Sequence, residues 1–184
     1  MNRLSRLLVA AALVSFVSLP ALAASKAEID AEVKEALETL YKQSPAAKDL
    51  SAKAAGVLVF PKITKAGIGV GGEYGEGALL IGGKTTGYYS SAAGSIGFQL
   101  GVQQKSQAIM FMNQKELDKF LKQIHDGWKA GVDGSVALAT LGAGGELDTE
   151  TAKKPIIGFI FSNKGLMYNL TFEGSKITKL DKDK

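Results

Sequence analysis

Residues 56–77 of the chain read GVLVFPKITKAGIGVGGEYGEG, and this stretch predicts a glycine-rich β-strand. An apolar run at 57–60 precedes Pro61, and glycine then recurs mostly at every second position. Because the side chains of a strand alternate between its two faces, one face consists of bare backbone. Its members are Gly67, Gly69, Gly71, Gly75 and Gly77. Each glycine inside a strand costs about 0.5–1 kcal/mol relative to alanine, so this glycine face indicates close approach by another protein element or by a ligand.

Pro61 predicts the end of the first apolar strand, because proline has no N–H to donate to a neighbouring strand. Lys62 and Lys65 should then lie in an exposed connecting loop, free to approach an anionic surface. Two further lysines, Lys84 and Lys105, are predicted near the ends of the glycine-rich strands. These four lysines are the candidate lipid-binding residues, and their alternative role is ordinary solubilisation.

Two short motifs resemble phosphate-binding loops. The sequence GIGVGG at 67–72 fits the dinucleotide fingerprint, but residues 73–77 are poor helix formers and no carboxylate follows about 20 positions later. The sequence GGKT at 82–85 resembles the end of a P-loop, but Ala78 stands where the first glycine is required. Both patterns are better explained by strands, with a hairpin turn at Gly82 and Gly83.

The first 23 residues predict an export signal. Arg3 and Arg6 precede an apolar run at 7–19 that is too short to span a bilayer, and Ala21 and Ala23 form a cleavage site. We therefore expect a single mature domain over residues 24–184, periplasmic or associated with the cell envelope, or secreted. The formal net charge is only +4 before removal of the signal, and we predict no nucleic-acid partner.

The residue inventory argues against catalysis. The chain has no cysteine and one histidine, His125, so a zinc site would need carboxylates almost alone and no thiol nucleophile exists. The acidic clusters at 73–76 and 146–150 are typical of turns or solvated faces, since nothing marks them as having perturbed pKa values. We predict no catalytic residue, no metal and no cofactor, and therefore a protein that is not an enzyme.

Capping signals predict three helices. They should begin after the caps Ser25, Ser44 and Asn113, the second ending at Gly56 and the third at Gly127. The outer face of the first helix is mainly acidic, so we expect this helix to pack on the domain and not on a membrane.

The remaining patterns predict strands joined by short turns, at 78–81, 85–90, 95–103, 108–112, 132–141, 156–161 and 166–172, with a short last strand near Ile177. The best alternation lies at 95–103, where Ile96, Phe98, Leu100 and Val102 should face the core. Short turns favour antiparallel pairing. The predicted fold class is α+β, a mainly antiparallel glycine-rich sheet or partial barrel with helices packed on one side.

Four motifs occur in a fixed order: GVLVFP at 56–61, KAGIGVGG at 65–72, SIGFQLGVQ at 95–103 and GLMY at 165–168. In this order they resemble the SYLF domain family, the lipid- and actin-associated domain of the las-seventeen-binding proteins. The resemblance covers residues from about 46 to 180. It implies a non-enzymatic domain that binds membrane lipids, phosphoinositides in the eukaryotic members, with actin binding in some fungal ones.

Two functional hypotheses follow. The first is a lipid-binding module of the cell envelope that contacts anionic membrane lipid peripherally through Lys62, Lys65, Lys84 and Lys105. The second is a structural or protein-interaction module whose glycine face accepts a protein partner or a second copy of the chain.

Overall fold

The computed structural model describes residues 24–97, 102–141, 147–164 and 174–182. The predicted export signal, the middle of the predicted 95–103 strand and the predicted strand at 166–172 lie outside these ranges. The described helices are α1 (Lys26–Gln43), α2 (Pro45–Lys53), α3 (Gln114–Gln123) and α4 (Thr149–Ala152), with a 3₁₀ turn at Ile124–Asp126. The described strands are β1 (Gly56–Ile81), β2 (Lys84–Gly97), β3 (Val102–Phe111), β4 (Trp128–Lys129), β5 (Ala137–Thr140), β6 (Ile156–Lys164) and β7 (Lys176–Leu180).

The sheet is built around β1, which is 26 residues long. Its second half pairs antiparallel with β2, from Ile81 opposite Lys84 to Gly69 opposite Gly97. Its first half pairs antiparallel with β3 over residues 56–66. The strand order is β4-β7-β2-β1-β3-β6-β5, and every described pair of strands is antiparallel except β5 with β6.

The prediction that Pro61 ends a strand is wrong, because β1 continues through it. The pairing of β1 with β3 shifts between Phe60 and Ile63, so Pro61 and Lys62 form a β-bulge. A bulge leaves a residue without a ladder hydrogen bond, and proline therefore fits there without losing a donor. The Ser106 hydroxyl donates to the Pro61 carbonyl oxygen at 2.7 Å and holds the bulge closed. Lys62 and Lys65 consequently lie within a strand and not in a loop.

The predicted hairpin turn between β1 and β2 is confirmed. Gly82 and Gly83 have φ angles of 58° and 76°, and a two-residue turn with both angles positive matches the right-handed twist of the two strands.

The helix caps are also confirmed. The Ser25 hydroxyl accepts from the Glu28 amide at 3.2 Å, and the Asn113 side chain accepts from the Glu116 amide at 3.0 Å. Gly127 follows the 3₁₀ turn with a φ of 85°. The second helix, in contrast, ends at Lys53, because Gly56 already belongs to β1.

Each face of the sheet carries its own apolar core. Leu58 and Phe60 of β1 point to one face, where Leu117 and Phe120 of α3 pack on them. The alternating residues Val57 and Val59 point to the other face, which is covered by α1 and α2 through Ile29, Val33, Ala36, Leu40 and Ala47. Alternation along β1 thus supplies both layers.

The predicted α+β class, a mainly antiparallel glycine-rich sheet curled into part of a barrel, is confirmed. The helices α1 and α2 share one side as predicted, whereas α3 covers the opposite face. The ring of Phe120 accounts for this position, because it packs against Phe111 of β3 at a centroid distance of 4.9 Å and against Trp128 at 5.6 Å.

None of the helices within the described ranges combines the length and the apolar character that crossing a membrane requires.

Candidate functional site

The glycine face of β1 meets the chain's own backbone. A Cβ atom added to Gly75 would lie 2.5 Å from the Lys62 carbonyl oxygen, and one added to Gly77 would overlap the Val59 carbonyl oxygen. Both glycines are buried. The two halves of β1 therefore curl toward each other, and glycine is required because no side chain fits between them.

The backbone of β1 itself approaches the glycine face at two of its five positions. Gly75 and Gly77 are filled by β1 itself and leave no groove for a protein partner. The other three members lie along the same strand, with Gly69 opposite Gly97 and Gly71 opposite Ser95, and Gly67 just before them.

A polar cavity of about 320 Å³ lies where two bulges meet beside α1. One is the Pro61 bulge of β1. The other is in β6, where the pairing with β3 shifts between Gln104 and Ser106 and Ser162 takes a φ of 53°. A positive φ is uncommon outside glycine and is typical of a bulge or a site under local constraint. The cavity is lined by Glu32, Glu35, Ala36, Thr39, Pro61, Lys62, Gln104, Lys105, Ser106 and Ser162.

Lys105 lies inside the domain and not at its surface. Its side chain is 3% exposed, and its ammonium group lies 3.1 Å and 3.0 Å from the two carboxylate oxygens of Glu73, which is 9% exposed. A buried charge persists only when it is paired and hydrogen-bonded. Lys105 therefore neutralises Glu73 and, in this conformation, does not present its charge to an anionic surface.

Lys62 lines the polar cavity, and Lys65 lies three residues further along β1. The Lys62 side chain is 55% exposed, and its ammonium group lies 3.3 Å from Glu32 of α1, which is 37% exposed. Lys65 is half-buried opposite Gln103. An exposed ion pair of this kind contributes about 0–1 kcal/mol, so Lys62 can exchange Glu32 for another anion at little cost.

Apolar side chains at the same end of the β1–β3 pair face solvent. Val102 is 68% exposed and lies directly opposite Ala66, which is also exposed. The prediction that Val102 faces the core is therefore wrong. We call Lys62, Lys65, Ala66 and Val102 the hairpin-end surface. Lys65 directly precedes Ala66, so its side chain points to the other face of the strand, and Lys62 lies four positions before Ala66. Cationic and apolar groups therefore follow one another along this part of β1, as they do where proteins contact a membrane interface.

Lys84 lies apart from these residues. It is exposed directly after the Gly82–Gly83 turn, opposite Ile81, whereas Lys65 lies beyond the other end of the β1–β2 ladder. Of the four candidate lysines, the fold places Lys62, Lys65 and Lys105 in one neighbourhood, and two of those three reach solvent.

A second polar network joins the two ends of the described chain. Lys182 donates to Glu76 at 2.7 Å and to the Ala24 carbonyl oxygen at 2.8 Å, and the Tyr74 hydroxyl donates to Glu76 at 3.0 Å. Tyr74 is 50% exposed, and its partial burial, followed by this hydrogen bond to the Glu76 carboxylate, raises its pKa to about 12. The prediction of a solvated acidic cluster at 73–76 is therefore wrong, because both glutamates are largely buried and paired.

The partners Glu32, Glu73 and Lys182 were not anticipated from the sequence. One signal for Glu73 existed, since in a regular strand it shares the face of Gly75 and Gly77, and a carboxylate on an inward face requires a cation. Glu32 and Lys182 come from distant parts of the chain, and only the tertiary fold brings them to β1. His125 is exposed on the 3₁₀ turn, and the described residues include no cluster of histidines and carboxylates that could hold a metal ion.

Comparison with known proteins gives a family match over the second half of the chain. Residues 92–183 match the Ysc84 family, described as Las17-binding protein actin regulator. A search among curated proteins finds no significant match. The matched region makes up half of the chain and runs from β2 to β7. The family is one of binding domains and not of enzymes, and the protein belongs to this Ysc84, or SYLF, family.

Proposed function

We propose that the protein is a non-enzymatic module of the cell envelope that binds anionic phospholipid membranes peripherally through the hairpin-end surface. The export signal predicted for residues 1–23 would bring it to that compartment. The observation that carries the proposal is the exposed Val102–Ala66 pair, which lies next to Lys65 and four positions from Lys62 along β1.

The energetics suit reversible attachment. Each lysine near an anionic surface contributes about 1 kcal/mol, and transferring Val102 into the interface adds about 1 kcal/mol or more. Neither contribution alone holds a protein on a membrane. Together they support binding that depends on both lipid charge and salt, because Lys62 and Lys65 interact with headgroups while Val102 contacts the acyl boundary.

The nearby carboxylate of Glu32 competes with lipid for Lys62. Since this ion pair is exposed, an anionic headgroup can replace Glu32 without leaving a buried charge unpaired. Loss of the Glu32 charge should therefore increase membrane binding.

Flotation with liposomes of neutral lipid, and of neutral lipid mixed with phosphatidylglycerol or a phosphoinositide, tests the proposal. The variant Lys62→Glu/Lys65→Glu should lose most of its binding to the anionic liposomes, because repulsion replaces attraction at about 1 kcal/mol per charge. Lys115→Glu/Lys122→Glu is a matched control, since these lysines are exposed on α3 and the net charge changes equally. The control should bind nearly as well as the wild type.

Two further variants separate charge from apolar contact. Val102→Ser should weaken binding at constant charge, and Glu32→Gln should strengthen it about fivefold, equivalent to about 1 kcal/mol. The proposal fails if liposome recovery is independent of lipid charge and salt. The assignment to the hairpin-end surface fails if the Lys62→Glu/Lys65→Glu variant and the α3 control lose equal binding.

A further inference from the structure

A second cavity lies on the other side of α1, between this helix and the β1–β2 hairpin. Its volume is about 420 Å³, within the range of about 300–1,000 Å³ that is common for small-molecule sites. Its walls are mainly apolar and consist of Val33, Leu37 and Tyr41 from α1 and Leu80 from β1. It shares no lining residue with the polar cavity.

Hydrogen bonds between α1 and the sheet hold this cavity in shape. The Asp30 carboxylate accepts from the Thr85 hydroxyl and from the Tyr88 hydroxyl, both at 2.9 Å. The Tyr41 and Ser51 hydroxyls are hydrogen-bonded at 2.6 Å. The cavity is therefore preformed, and binding there does not require ordering of its walls.

The rim carries one exposed charge of each sign. Lys34 and Glu38 both line the cavity and lie four residues apart on α1, so their side chains are neighbours on the helix surface. Neither takes part in an ion pair with another described residue. The third charged group of the rim, Asp30, is already satisfied by two hydroxyl donors.

We propose that this cavity binds a single-chain zwitterionic phospholipid. The acyl chain lies along the apolar walls, the phosphate contacts the Lys34 ammonium group, and the headgroup ammonium contacts the Glu38 carboxylate. An anionic amphiphile fits less well, because Glu38 and Asp30 would repel it. The volume lies at the small end of the usual range, which favours one chain over two. This site goes beyond the proposed membrane contact and uses none of the residues of the hairpin-end surface.

Calorimetric titration and native mass spectrometry with lauroyl lysophosphatidylethanolamine, below its micelle concentration, test the proposal. The wild type should form a one-to-one complex. Lys34→Ala should weaken it about fivefold, as should Glu38→Ala, and dodecyl phosphate should bind more weakly than the zwitterion. Lys42→Ala is the matched control, because Lys42 is exposed on the same helix and does not line the cavity. It should bind like the wild type.

Leu37→Trp fills the cavity with its own side chain and should abolish the complex. If that variant does not fold, the Lys34 and Glu38 variants decide alone, since both residues are exposed. Failure of the wild type to form a one-to-one complex overturns the proposal, and so does equal affinity of Lys34→Ala and Lys42→Ala. The Lys62→Glu/Lys65→Glu variant should retain the complex, so the result is independent of the proposed membrane contact.

Discussion

Gly77 offers the most direct test of how the sheet closes. A Cβ atom at this position overlaps the Val59 carbonyl oxygen and lies 2.8 Å from Cδ1 of Phe60. The carbonyl belongs to the backbone of the same strand, so it cannot move aside as the end of a flexible side chain could. Gly77→Ala therefore forces the two halves of β1 apart.

The expected change in the stability of Gly77→Ala is the difference between two opposing effects. Replacing glycine by alanine gains about 0.5–1 kcal/mol, because the unfolded chain loses conformational freedom. Overpacking a core costs about 1–3 kcal/mol and more where backbone must shift. We expect the clash to dominate, so that the free energy of unfolding falls by about 2 kcal/mol and Tm falls by about 4–8 °C for a chain of this size.

Gly94→Ala is the matched control. This glycine is exposed in β2, and a Cβ atom there meets no other atom within 4 Å. The same chemical change should therefore leave stability unchanged or raise it by up to about 1 kcal/mol. Thermal and urea unfolding followed by circular dichroism measures both variants. Equal stability of Gly77→Ala and Gly94→Ala would refute the closure of β1 on itself.

Two other predictions concern the polar partners of Glu73 and Glu76. Lys105→Met should lower the free energy of unfolding, measured in urea, by about 3–5 kcal/mol, because it leaves the Glu73 carboxylate buried without a partner. Lys62→Met, which breaks an exposed ion pair, should lower it by less than about 1 kcal/mol. Similar losses for the two variants would contradict the burial of Lys105. Since the pKa of Tyr74 is raised from 10.0 to about 12, its contribution to stability should be complete below pH 10 and lost as the pH rises toward 12. Absorbance titration of the phenolates should show one proton release near pH 12 that Tyr74→Phe lacks, and an unchanged titration curve would contradict this assignment.

The local structure of this protein could be predicted well from short-range patterns. The capping residues Ser25 and Asn113 and the turn at Gly82–Gly83 act within a few positions of the chain, so their geometry depends little on the rest of the fold. The α+β class followed in the same way from alternating strands joined by short turns. The family membership rested on motifs in order along the sequence.

The predictions failed where distant residues decide the outcome. Local propensity predicts that a strand ends at Pro61, but a hydrogen bond from Ser106 stabilises a bulge there and the strand continues. Its alternation predicts that Val102 is a core residue, but in the fold it is 68% exposed at the end of the β1–β3 ladder, opposite the exposed Ala66. The sequence predicts that Lys105 is a surface cation, because nothing near it in sequence indicates its pairing with Glu73, 32 positions away.

The sequence by itself determined that β1 must be approached closely, because a row of glycines on one strand face is costly unless the space is used. Only the tertiary structure decided what uses it: the curl of a 26-residue strand brings its own backbone onto Gly75 and Gly77. The same curl decided which lysines reach solvent. It buries Lys105 against Glu73 and leaves Lys62 exposed beside α1, since pairing of distant charges depends on the path of the backbone and not on residue type.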